Sequence, residues 1–139
     1  MNATPHTDGL SFGPTASSKM YLAMYQHRGH DPSKSCWSPD VPPPMEYSIF
    51  ERADDEQHSD PDGHYWGVRD AAGAALGTAG ERLAKFPFNA LETVPWHGYP
   101  VSPASGRPSE TPPDSLIEGF IDAGVVSRTF GRKLQRRKA

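Results

Sequence analysis

The chain has 139 residues, of which 15 are proline and 13 glycine, so about a fifth of its positions punctuate the backbone. Proline costs ~3 kcal/mol and glycine about 1 kcal/mol in a helix interior, which excludes coiled coils and long-helix bundles for most of the chain, and the glycines lack collagen's triplet period. The formal net charge of −3 conceals a division: residues 1–127 carry 8 basic and 17 acidic side chains, net −9, whereas residues 128–138 carry 6 basic and none acidic.

Residues 1–44 are rich in Ser, Thr, Pro, Gly and Asp and read as an irregular arm. Within it, Ser17 or Ser18 could cap a short helix running through Met20 and Met24 toward Gln26. The apolar run Tyr21–Tyr25 is far short of the ~20 residues that span a bilayer, and the N-terminus has no basic-then-apolar signal pattern. A cytoplasmic protein with no membrane segment is expected. Cys36 is the single cysteine, so neither an internal disulfide nor a Cys-based zinc finger can form. Pro39, Pro42, Pro43 and Pro44 suggest an extended, polyproline-like linker.

Residues 45–139 are expected to form a small α+β domain. Tyr47–Glu51 has strand character, residues 54–63 form an acidic loop ending in Asp60-Pro61-Asp62-Gly63, and His64–Arg69 suits a pleated surface. A turn at Asp70–Gly73, a short return strand over Ala74–Leu76, a turn at Gly77–Gly80 and a segment Glu81–Phe86 complete an antiparallel β-meander over 45–87. Residues 94–110 form an aromatic loop around Trp96, His97 and Tyr99, whose large rings should bury against a core. Phe86, Phe88, Trp66, Trp96 and Tyr99 are the expected shared core. No internal repeat is visible.

Residues 111–138 predict a helical hairpin. Thr111 is the candidate N-cap with Pro112 next, Leu116, Ile117, Phe120 and Ile121 make one apolar stripe, and Gly124 suits the left-handed position after a helix. Ser127 can cap a second helix, in which Phe130 and Leu134 form an i, i+4 pair amid cations.

Four clusters are candidates for chemistry. Arg128, Arg132, Lys133, Arg136, Arg137 and Lys138 could neutralise phosphates of nucleic acid or another polyanion; the macrodipole equally favours cations at a helix C-terminus. His97, with Glu81 or Glu92 and with Arg82 or Lys85, supplies the residue types of a metal-independent, ribonuclease-like toxin; the same residues also fit a loop that Trp96 and Tyr99 pin to the core while His97 bonds to backbone. The acidic stretch from Glu46 to Asp70 could face a basic protein partner, as an inhibitor would. His27, His30, Asp31, His58, Asp60 and His64 offer ligand types but no ligand spacing, and the acidic loop lacks a calcium loop's closing Glu. No metal and no cofactor is expected, since phosphate-loop, dinucleotide and nucleophile-elbow signatures are also missing. A non-enzymatic nucleic-acid-binding module is thus the first expectation, with the ribonuclease and the acidic-faced interaction protein as rivals.

Overall fold

In the computed structural model, which describes residues 3–29, 34–91 and 93–139, Pro42, Pro43 and Pro44 open a helix rather than extend a linker. Amides in a first helical turn have no acceptor within the helix, so prolines there forfeit nothing. The Pro42 carbonyl accepts from the amides of Met45 at 2.9 Å and Glu46 at 3.0 Å. Helix α1 (Pro43–Asp55) buries Glu46, Tyr47, Ile49, Phe50, Ala53 and Asp54. The strand expected over Tyr47–Glu51 therefore lies inside this helix. Its Tyr, Ile and Phe satisfy a pleat over five positions, but positions 46, 47, 50, 53 and 54 recur at the helical period, and the longer pattern wins.

Ahead of α1, the segment expected to be irregular carries a sheet. Strands β1 (Thr4–Pro5), β2 (Gly9–Phe12) and β3 (Tyr21–Met24) pair antiparallel in that order, with Phe12 opposite Tyr21 and Gly9 opposite Met24. The short helix expected through Met20 and Met24 is replaced by β3 and a 3-10 turn, Tyr25–His27. Tyr21 and Ala23 are buried while Leu22 and Met24 are half-buried, the alternation of a strand.

The second sheet is the meander. Strands β4 (Tyr65–Gly67), β5 (Leu83–Phe86) and β6 (Tyr99–Val101) lie side by side, antiparallel and in chain order. The expected segments His64–Arg69 and Glu81–Phe86 supply β4 and β5. The return strand over Ala74–Leu76 does not form, and the third strand comes instead from the aromatic loop, where Pro100 stands opposite Ala84. An edge strand tolerates proline because its missing N–H can face away from the ladder. Gly67 lets α1 approach, since a Cβ there would fall 2.6 Å from Ile49 Cγ2.

Helices α2 (Asp114–Asp122) and α3 (Arg128–Gln135) form the C-terminal pair. Helix α2 starts after Pro113, so Thr111 is not its cap. Its end carries the left-handed Gly124, φ 72°, with Gly124 N–H donating to Ile121 at 3.1 Å and Val125 N–H to Phe120 at 2.8 Å, the paired bonds of a Schellman motif. Ser127 caps α3 by accepting from the Phe130 amide at 3.1 Å.

The meander separates two apolar clusters. On one face Phe50 meets Tyr21, Phe86, Trp96 and Tyr65 at ring distances of 5.0, 5.2, 5.6 and 6.1 Å, with Trp37 and Val41 completing that cluster. On the other, Trp66, Leu83 and Val101 meet Ile117, Phe120, Phe130 and Leu134. The architecture is α+β. Phe88, expected inside, is 54% exposed. Among the described residues no helix is long and apolar enough to cross a membrane.

Candidate functional site

The basic arm is a fixed element. Phe130, Gly131 and Leu134 anchor α3 to the second cluster, and Gly131 is needed there because a Cβ would lie 2.5 Å from Ile121 Cγ1. Arg128, Lys133, Arg136, Arg137 and Lys138 are exposed. None of these five lies within 4.0 Å of a described carboxylate. Arg132 differs: it pairs with Glu118 and donates to Gln135 Oε1 at 2.6 Å. The Gln135 amide in turn donates to Glu118 at 3.1 Å. Hydrogen bonds from Arg132 and then Gln135 hold the Glu118 carboxyl below its ordinary range. Of the side chains on α3 with base-reading chemistry, Arg128, Thr129, Arg132 and Gln135, Arg132 and Gln135 are thereby tied to α2 while Arg128 and Thr129 stay exposed. The last carbonyl, of Ala139, accepts from Ser102 Oγ at 3.1 Å and Ala104 N–H at 3.2 Å, which docks the end of the arm on the 3-10 turn Pro103–Ser105.

The residues grouped with His97 have separate partners. Glu81 Oε1 accepts from the Ala79 amide at 2.9 Å and closes the preceding turn. Arg82 donates to the carbonyls of Gly73 at 2.5 Å and Ala72 at 3.0 Å, with its guanidinium 4.5 Å from the Phe130 ring centroid. Lys85 reaches the Ser109 carbonyl at 2.7 Å and lies over Trp66; burial lowers its pKa. His97 stacks instead on His27, 6.5 Å between centroids and 9° between planes, and His27 stacks on Tyr99 at 5.6 Å. His27 Nδ1 lies 2.8 Å from the Ser35 carbonyl. Burial lowers the pKa of both imidazoles, and for His97 the neighbouring His27 adds to it. No hydrogen bond or ion pair joins the His97 ring to Glu81, Arg82 or Lys85. Glu92 falls outside the described residues, as do His30 and Asp31.

The acidic stretch divides. Glu46 and Asp54 are buried, whereas Asp55, Glu56, Asp62 and Asp70 are exposed. Asp60 organises its loop: one oxygen accepts from the amides of Asp62 at 2.9 Å and His64 at 3.1 Å, the other from Trp66 Nε1 at 2.9 Å. His64 accepts from the Phe88 amide at 2.9 Å, and His58 sits 3.2 Å from Glu56 with its ring edge against Phe120. These potential ligands thus have structural partners, and no group of three or more metal-ligating side chains converges among the described residues.

One feature escaped sequence reasoning. A cleft of about 580 Å³ lies between residues 56–61 and α2, lined by Leu116 and Phe120 as well as Glu56 and Asp60. Gly119, a glycine inside an otherwise regular helix, was the available signal. No family model, no curated protein and no solved structure matches the chain.

Proposed function

We propose that the protein is a non-enzymatic binding module that holds nucleic acid by its phosphates through the C-terminal arm. The observation that carries this reading is the set of five exposed cations, Arg128, Lys133, Arg136, Arg137 and Lys138, without an ion pair to any described carboxylate. Ordered cations without internal partners can displace condensed counterions from a polyanion. At ~0.15 M salt, fields are screened within ~8 Å, so the local charge of the arm counts for more than the −3 of the whole chain.

Duplex fits better than single strand. The rings near the arm, Phe120 and Phe130, are buried and give unstacked bases no platform. Arg132 and Gln135 are held by Glu118, which leaves phosphate contact as the main contribution and predicts little sequence preference.

The test is binding of a generic duplex and a single strand to the full chain across a salt series. Five phosphate contacts would give a slope of log affinity on log salt of about −4.5. Replacing Arg136, Arg137 and Lys138 with alanine should make that slope shallower by about 2.7. No duplex binding at ~50 mM salt overturns the reading, as does a slope that the triple substitution leaves unchanged.

A further inference from the structure

We infer that the cleft between residues 56–61 and α2 docks a short segment of a protein partner that sets a bulky apolar side chain beside a lysine or arginine. Its volume of about 580 Å³ falls in the range of clefts that hold ligands. Leu116 and Pro61 offer apolar surface over a floor closed by the buried Phe120, and the carboxylates lining the cleft are those of Glu56 and Asp60, with His58 beside them; no lysine or arginine lines it. Arg52 and His58 meet Glu56 at 3.1 and 3.2 Å, whereas Asp60 accepts only from the neutral N–H groups of Asp62, His64 and Trp66 and has no cationic partner among its hydrogen bonds. Such a lining repels phosphate and favours a cation, which separates this surface from the basic arm in the partner it takes.

Gly119 adds a second line of argument. A glycine costs about 1 kcal/mol in a helix interior relative to alanine, and a Cβ built on Gly119 meets nothing within 4 Å. The packing of this fold does not require glycine there. What the missing side chain does is leave the α2 backbone open to close approach from the cleft. Ser115 and Ala123, eight residues apart, bound that stretch, which is about 12 Å along the helix axis. Three or four residues of extended chain cover that distance, whereas a small amine would occupy only part of it.

The experiment titrates the isotope-labelled full chain, followed by amide NMR, with the peptide Ac-Phe-Arg-Leu-Lys-NH2. The acidic peptide Ac-Phe-Glu-Leu-Glu-NH2 and phenethylamine serve as comparators. Expected are saturable shifts confined to residues 56–60 and 115–123 with the cationic peptide. Glu56→Gln should weaken it about threefold, and Gly119→Leu, which fills open space in the cleft, about tenfold. Should Gly119→Leu disturb the spectrum elsewhere, Ala123→Leu is the second occluding variant. The inference is overturned by shifts that do not localise to the cleft, by equal affinity for the acidic peptide or for phenethylamine, or by unchanged affinity in a folded occluding variant. Duplex binding by the arm should be the same in both occluding variants.

Discussion

Glu46 sits on the inward face of α1, 1% exposed, with the Tyr21 hydroxyl donating to one carboxylate oxygen and the Arg28 guanidinium 2.5 Å from the other. Burial pushes its pKa up to about 7, although Arg28 and the Tyr21 hydrogen bond pull the other way. Between the unfolded carboxylate pKa and about 7, the native state therefore favours the protonated form of a group that the unfolded chain has already ionised. The stabilising contribution is complete below the unfolded value and is lost as pH rises through about 7, on the order of 3 kcal/mol in all. Asp54 has the opposite sign. Burial raises its pKa, but hydrogen bonds from Lys19 and Ser17 outweigh burial and lower it, so its contribution is present above the unfolded value and lost in acid. Because the lowered imidazoles of His27, His58 and His97 make stability rise with pH in the same window, the Glu46 contribution is read as a difference: in urea denaturation in steps from pH 3 to 8, the stability of the wild type relative to Glu46→Gln should fall as pH rises toward about 7, and both proteins should share the acid limb. A slope unchanged by Glu46→Gln refutes the assignment. Neither role was legible in sequence, where both residues counted toward an acidic face. Arg28 and Tyr21 stand 18 and 25 residues from Glu46, and local patterns carry no information about partners at that separation.

Elements closed by local chemistry were legible, and elements settled by distant packing were not. Gly124 and Ser127 occupy the expected cap positions because their reasons lie within one turn: a left-handed φ at one, an accepting hydroxyl at the other. Ser127→Ala should cost about 1 kcal/mol, and Gly124→Ala a similar 1–2 kcal/mol, roughly the strain of an L-residue in the left-handed region. Chemical denaturation measures both, and a loss near zero for either would show that the cap does not hold its helix. Conversely, β6 was missed because Pro100 argues against a strand until the edge position is known, and α1 because a five-residue window favoured a pleat. The same limit applied to the candidate sites. The exposure of the arm followed from its charge, but the tie from Arg132 to Glu118 depends on how α3 crosses α2. The cleft required two elements some sixty residues apart to be set face to face.

At the scale of the whole molecule, the meander is the shared wall of both apolar clusters. Along β5, Leu83 belongs to the cluster under α2 and α3, while Ala84 and Phe86 belong to the cluster under α1, and all four residues of the strand are buried. Alternating side chains place neighbouring residues on opposite faces, so the backbone of β5 cannot lose one cluster without exposing the other. Damage on either side should therefore be felt as one transition. Phe50→Ala opens a cavity among Tyr21, Phe86, Trp96 and Tyr65 and should cost about 3–5 kcal/mol. Leu134→Ala, fully buried on the opposite side, should cost about 2–5 kcal/mol. For both variants, unfolding followed by tryptophan fluorescence and by far-ultraviolet circular dichroism should give coincident midpoints. Because α3 is anchored through Leu134, a separate early transition in Leu134→Ala, with the Phe50 side still folded, would mean that the basic arm and its cluster form an independent unit and that β5 does not couple the two faces.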